Sequence, residues 1–438
     1  MDWSTTLLVI FAALLGLMVI GVPIAFAFLT VNVVAVYFYW NGVAGLNQLV
    51  LSIYESVTIF ALLSVPLFVL MGEIMFRSGI AGRLMDVIDS WIGRIPGRLS
   101  LMAVAGGTVF ATLTGSAMAG AAMLAALLVP EMQKRGYGKE MSLGPILGSG
   151  GLAIMIPPSA LAVLLAAIAN FSVGEFLVAI IVPGLLMGVA FAVYIVVRCS
   201  LKPELAPSYE REPVPMRLRL RNTALYGMPL FVIIFLVIGL MFLGIATATE
   251  SAAAGALGCF VLAWIYRGLS WEMVKASLNS TLDVSVMMLM IITGSTAFSQ
   301  VLAFTGASTG LVELATTLPV SPMLIVVAMQ IVMLIMGCFM EPLSIMMLTI
   351  PIFFPIIKIF GFSPIWFGAI MLLNMEMATI TPPFGLVLFV VKGVAPEGTT
   401  LTDVYRAALP FIFCDLVVMA VLLLFPATVT WLPALMQK

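Results

Sequence analysis

The sequence predicts an all-α polytopic membrane protein made of two inverted repeats, each with a re-entrant hairpin and a broken helix. Three observations carry this expectation. Of 438 residues, 63% are hydrophobic and 9% charged, more apolar surface than a water-soluble domain could bury. Many apolar stretches reach the ~20 residues a helix needs to cross a bilayer, and the alternation of a β-barrel is absent. Two matching motifs, Ile154–Ala160 ("IMIPPSA") and Thr379–Gly385 ("TITPPFG"), interrupt apolar runs in the same way.

The composition also excludes several activities. There is no histidine, which removes the commonest general base and the usual zinc ligand. Cys199, Cys259, Cys338 and Cys414 are scattered, without metal or redox spacing. No glycine-rich GK[ST] loop is present to bind a nucleotide phosphate. No basic tract points to nucleic acid. An enzyme is not expected, and neither is a cofactor beyond a coupling ion.

The first apolar run, 5–31, is too long for a signal-peptide core and lacks a basic leader, so it reads as a retained helix. A second crossing spans 48–76. An amphipathic arm at 80–95 follows, with Ile80, Leu84, Ile88, Trp91 and Ile95 on one stripe and Arg83, Asp86 and Arg94 opposite. Basic residues flank 99–133 on both sides, and cytoplasmic loops are where Lys and Arg concentrate. A hairpin turning at Thr114-Gly115-Ser116 returns the chain to the cytoplasm and satisfies both flanks. A broken helix at 141–170 carries Ser149-Gly150-Gly151 and Pro157-Pro158, and a crossing at 176–198 completes a first repeat over 1–198. Proline removes a backbone donor and clashes with the preceding turn, and exposed backbone at membrane depth must be packed in protein or line a cavity.

A charged linker, 199–224, and an extra crossing, 225–248, lead to a second repeat over 249–438. It holds crossings at 249–266 and 281–304, an arm near 306–319, a hairpin at 322–360, a broken helix at 363–393 and a last crossing at 405–433. On this path every basic residue except Lys358 and Lys438 is cytoplasmic. An offset of 225 takes Pro130 to Pro355, Gly136 to Gly361, Pro157 to Pro382 and Pro158 to Pro383. It also takes the first hairpin tip, Ser116, to Glu341 in the second. Interrupted apolar segments in matching positions are the best sequence pointer to a secondary-transporter site.

At "TGSAMAG", "RGYG", "GGLAIMIPPSA" and "NMEMATITPPFG" the chain resembles the large, DctM-like membrane subunit of TRAP (tripartite ATP-independent periplasmic) transporters, over essentially its whole length. The resemblance implies an elevator with a scaffold and a mobile transport domain in the bacterial inner membrane. It implies sodium-coupled uptake of a small organic acid: a C4-dicarboxylate, sialic acid or a sugar acid. The implied partners are a soluble periplasmic substrate-binding protein and a small four-helix membrane subunit on a separate chain. The chain departs from the family pattern at Gly120, where many members carry an acidic residue, which leaves the number of coupled ions open. The alternative is a stand-alone ion-coupled carrier of di- or tricarboxylates that needs no binding protein.

Sodium needs a cage of hard oxygens, which unwound carbonyls and hydroxyls supply, while half-helix N-termini favour a carboxylate. The expected sodium positions are Thr114, Gly115, Ser116, Ser149, Gly150, Gly151 and Pro157 in the first repeat. In the second they are Met340, Glu341, Thr379, Thr381 and Pro382. Ser159, Asn374, Glu376 and Gly385 are expected to bind substrate or gate it. Glu341 is the sharpest candidate, because an ionisable group at a membrane-embedded tip is costly. Glu376 is expected to brace the second break through backbone N–H groups or to couple to Asn374. Small residues in these motifs also serve plain helix packing. Asp283 and Asp415 fall in apolar runs without an assigned role.

Overall fold

A computed structural model describes residues 2–93, 95–114, 117–207, 215–337, 340–383, 385–396 and 398–436, excluding the side chains of 81, 110–114 and 119. The described residues contain helices and no strand. The first half opens with α1 (Trp3–Val19), α2 (Ile24–Tyr39), α3 (Val43–Val57) and α4 (Ser64–Arg77), the last two separated by a 3-10 turn at Phe60–Leu63. An arm, α5 (Ile80–Trp91), precedes the paired helices α6 (Arg98–Thr114) and α7 (Ala117–Lys134). Next come α8 (Lys139–Met155), α9 (Ala160–Ile168), α10 (Val173–Ala179) and α11 (Ile181–Leu201).

The second half starts with α12 (Met216–Asn222), a π-helical turn, α13 (Met228–Phe242), α14 (Ala248–Ile265) and the long α15 (Trp271–Phe304). An arm, α16 (Ala307–Thr317), leads to the paired α17 (Pro322–Gly337) and α18 (Pro342–Ile359). The chain ends with α19 (Pro364–Ile380), α20 (Leu386–Val394), α21 (Leu401–Leu424) and α22 (Ala427–Met436). Seven helical segments among the described residues are long and apolar enough to cross a membrane, or eight if the α8–α9 pair, bent by 42°, counts as one.

The repeat is written into the helix bounds. Adding 225 to α7 (117–134) gives α18 (342–359), and adding it to α8 (139–155) gives α19 (364–380). Gly136 and Gly361, the matching turn glycines, have φ of 75° and 73°. Contacts are reciprocal: α4 packs on α14 and α15 packs on α2. Close packing of small residues holds the interior, since lipid gives helices no hydrophobic drive to associate. Gly144 and Gly148 lie under the Phe411 ring, where a Cβ would stand 2.6 and 2.7 Å from ring atoms.

Two expectations about the early chain need correction. The single helix expected over 5–31 is two helices, because Gly21 takes φ of 89° and Pro23 starts α2. Trp3 packs on Gly310 of α16, and Trp40 stacks on Phe304 at 4.8 Å, so both ends of the α1–α2 pair lie at one end of the bundle. The crossing expected as an unpaired extra over 225–248 has α1 as its equivalent. Adding 225 to Trp3 gives Met228, the first residue of α13. The helices α1, α2, α3–α4, α8–α9 and α10–α11 are then matched in the same order by α13, α14, α15, α19–α20 and α21.

Other bounds shift for local reasons. The stretch expected as one helix over 48–76 breaks at Thr58–Ile59, whereas its equivalent α15 is continuous and starts at Trp271 rather than 281. The last crossing, expected over 405–433, breaks before Pro426. The arm α5 is tied to α6 by Arg98, whose guanidinium meets Asp89 at 2.7 Å, and to α12's end by Trp91, whose Nε1 donates to Thr223 Oγ1 at 2.8 Å.

Candidate functional site

The first break follows from the absence of two donors. In a continuous helix the N–H groups of residues 157 and 158 would bond to the carbonyls of Ala153 and Ile154. Prolines supply neither. Ser159 compensates in part: its Oγ donates to the Ile154 carbonyl at 2.7 Å and accepts the Ala162 N–H at 3.3 Å, which caps α9.

At the second break, Pro383 strands the carbonyl of Thr379 in the same way. The hydroxyls turn back on α19: Thr379 Oγ1 donates to Glu376 O at 2.8 Å and Thr381 Oγ1 to Met377 O at 2.6 Å. Gly385 begins α20 without a side-chain cap. A Cβ there would stand 2.6 Å from the Thr379 carbonyl, so only glycine lets the chain pass so close.

Each hairpin lies against a break. Gly150 faces the start of α7, where a Cβ would meet Ala121 at 2.9 Å and the Ala117 carbonyl at 3.2 Å. Ser149 packs on Gly107 of α6, and its Oγ donates to Ile146 O at 3.3 Å. In the second half Gly337, the last residue of α17, abuts Ala378 just before the break. The two broken helices also meet each other. Gly151 of α8 lies so close to the Glu376 carboxyl of α19 that any Cβ would overlap it. These two residues are themselves 225 apart, so they mark the place where the repeats cross.

The structure therefore brings together Ser149, Gly150 and Gly151 with Glu376, and Thr379 with Gly385. Glu341 is half-buried and starts α18, with the Ser344 hydroxyl in hydrogen-bond reach of its carboxyl. Met340 packs partly buried beside it, its N–H on Met336 O at 2.9 Å. Pro382 sits half-buried at its break, as Thr381 does, while Pro157 is buried. Thr114 ends α6. Its side chain, and Gly115 and Ser116 altogether, lie outside the described residues.

One expected coupling is absent. Asn374 turns away from Glu376, and its Nδ2 donates to Gln330 of α17, to the carbonyl at 2.8 Å and to Oε1 at 3.1 Å. Among the described residues no backbone N–H reaches the Glu376 carboxyl either. It reaches Asp415 of α21 instead. Both residues are completely buried. Gln330 escaped the sequence reading although it is the one amide in α17.

A cavity of about 470 Å³ lies in the seam between α3 and α15 on one side and α9 and α18 on the other. Ser52, Ser56, Ser295, Thr296, Ser299 and Gln300 give it a hydroxyl- and amide-rich wall. Gln300 Oε1 has no hydrogen-bond partner, and exposed Glu55 and Lys358 stand at the rim. None of the described sequence-predicted positions lines this cavity. Its polar residues fall at helical spacing on two helices, Ser52 and Ser56 on α3 and Ser295, Thr296, Ser299 and Gln300 on α15, a signal the sequence reading missed.

The sequence profile of one family, described as "Tripartite ATP-independent periplasmic transporter, DctM component", matches residues 11–428. A C4-dicarboxylate TRAP transporter large permease protein of Pseudomonas aeruginosa is 35% identical over 89% of this chain and 88% of its own. An ectoine TRAP transporter large permease protein of Halomonas elongata is 28% identical over 96% and 97%. Among solved structures, the Alcanivorax borkumensis YdaH transporter shares the fold, with a TM-score of 0.65 at 14% identity over 87% of this chain and 88% of that one.

Proposed function

The chain belongs to the DctM-component family of tripartite ATP-independent periplasmic transporters, and we propose that it performs sodium-coupled uptake of a small organic acid by an elevator movement. It is a multi-pass membrane permease component and not an enzyme. The family works with a small membrane subunit and a substrate-binding protein. On our reading the latter is periplasmic, the small subunit is a separate four-helix chain, and the assembly sits in a bacterial inner membrane. The acid is of the C4-dicarboxylate or sugar-acid class.

The observation that carries this reading is the crossing at Gly151 and Glu376, with one hairpin laid on each break. Unwound carbonyls at Ala153 and Thr379, with nearby hydroxyls, offer sodium the hard oxygens it needs. Thr114, Gly115 and Ser116 extend the first half-site, and Met340, Glu341, Thr381 and Pro382 the second. The hairpins and broken helices form one packed unit, so moving it whole would carry ion and acid without dragging bare backbone through lipid. The seam cavity, within the usual range for a small-molecule site of roughly 300–1,000 Å³, gives the acid a path between that unit and α3–α15.

The test is uptake of labelled C4-dicarboxylates and sugar acids into proteoliposomes holding this chain and its small subunit. We expect uptake only when both the binding protein and an inward sodium gradient are present. Uptake indifferent to the binding protein would replace this reading with a stand-alone carrier, and indifference to sodium would remove the two breaks as sodium sites.

A further inference from the structure

We propose that Glu376 and Asp415 bind a proton that they share, forming a buried carboxyl clasp where the two broken helices cross. Both side chains are completely buried. None of their four carboxyl oxygens meets an N–H or O–H donor from elsewhere in the described residues. The two groups lie within hydrogen-bond reach of each other. Ionised carboxylates only accept, so a bond between two of them requires a proton on one. Two like charges held together away from water cannot both persist, and such a pair takes up and loses protons as a unit.

Among the described residues no cation neutralises the pair, and Cys414, beside Asp415, is the one further titratable group next to it. The other charged residues on helices packed against α19 and α21 stand in end turns: Lys139 and Glu140 of α8, Glu175 of α10, Arg198 of α11, Lys358 of α18 and Lys392 of α20. Asp403 and Arg406 lie in the first two turns of α21. The repeat makes the placement specific. The positions 225 residues earlier are Gly151 and Ala190, which carry no ionisable group. Gly151 makes the space that Glu376 fills, and the Ala190 carbonyl lies 3.9 Å from Cys414 Sγ. The proton therefore joins α19 to α21 at the point where α8 presses on both. Its loss would set two like charges against each other at the centre of the crossing.

The test is infrared spectroscopy of the purified full-length protein in nanodiscs at neutral pH. The wild type should show a protonated-carboxyl carbonyl stretch that is missing from the Glu376→Gln/Asp415→Asn double variant. Carbon-13 labelling of aspartate and glutamate in the wild type locates the same band without any variant, and the band should shift with at least one label. A wild-type spectrum without a buried acid band, or one unchanged by both labels, would overturn the proposal. Loss of the band on adding sodium at constant pH would overturn it too, by making the pair a cation site. The band is read independently of uptake, so this inference stands or falls apart from sodium coupling.

Discussion

Position 151 in the first repeat and position 376 in the second are the same place in two copies of one backbone, yet one holds glycine and the other a buried glutamate. The same contrast recurs at 190 and 415, where alanine answers aspartate. The starts of the second half-helices, one residue out of the 225 offset, differ in the opposite sense. Ser159 caps α9 with its hydroxyl, while Gly385 starts α20 bare and pressed on a carbonyl. The repeats share helix bounds to the residue at α7 and α18 but divide the chemistry. The first supplies room, and the second supplies the ionisable groups. A symmetric scaffold thus produces an asymmetric centre without altering the path of the chain.

The largest effect should come from closing the space. Gly151→Leu forces a branched side chain into the Glu376 carboxyl; overpacking of this kind costs about 1–3 kcal/mol or more, so we expect a clear fall in Tm and at least about a tenfold loss of uptake. Normal Tm and uptake would mean that α8 and α19 do not touch there. The start of the second half-helix offers a sharper contrast. Gly385→Ala should destabilise by about 1–3 kcal/mol through overlap with the Thr379 carbonyl, and Ser159→Gly by about 1–3 kcal/mol for the opposite reason, since it leaves the buried Ile154 carbonyl without its donor. A wild-type Tm in either variant would erase the distinction between the two breaks.

A smaller change is expected from the hydroxyls. Thr381→Val removes one hydrogen bond to Met377 O, worth about 1 kcal/mol, and we expect the half-saturating sodium concentration for uptake to rise about fivefold. An unchanged sodium dependence would take Thr381 out of the ion site. Smallest of all is the contact between Lys139 and Asp403, 2.8 Å apart at the exposed starts of α8 and α21. Lys139→Ala should alter stability by less than about 1 kcal/mol, because exposed ion pairs are screened and entropically costly. A larger loss would make this end of the crossing a structural anchor.

Much of this was legible because proline and glycine act locally. Pro157-Pro158 and Pro382-Pro383 remove donors wherever the chain goes, so the breaks and their 225-residue spacing could be read directly. The start of the chain was not legible for an equally physical reason. Residues 1–76 contain no lysine or arginine, so the distribution of basic residues could not say whether that stretch crosses two or three times. Gly21 and Pro23 were the available signal, and they mark the turn that makes α1 the equivalent of α13. The turning of Asn374 towards Gln330, and of Glu376 towards Asp415, is tertiary. Residues 44 and 39 positions apart share no spacing rule, and the partner of a lone polar residue in an apolar helix depends on which helix packs opposite.

The central claim is that the hairpins and broken helices move as one unit against α15 and the helices around it. Ser295 of α15 donates to the Met347 carbonyl of α18 at 3.2 Å, so this pair bridges the seam. The direct measurement is uptake by a Ser295→Cys/Met347→Cys variant in which Cys199, Cys259, Cys338 and Cys414 have been replaced, before and after oxidation. The account predicts that the disulfide stops uptake and that reduction restores it. Undiminished uptake with the disulfide fully formed would contradict the movement.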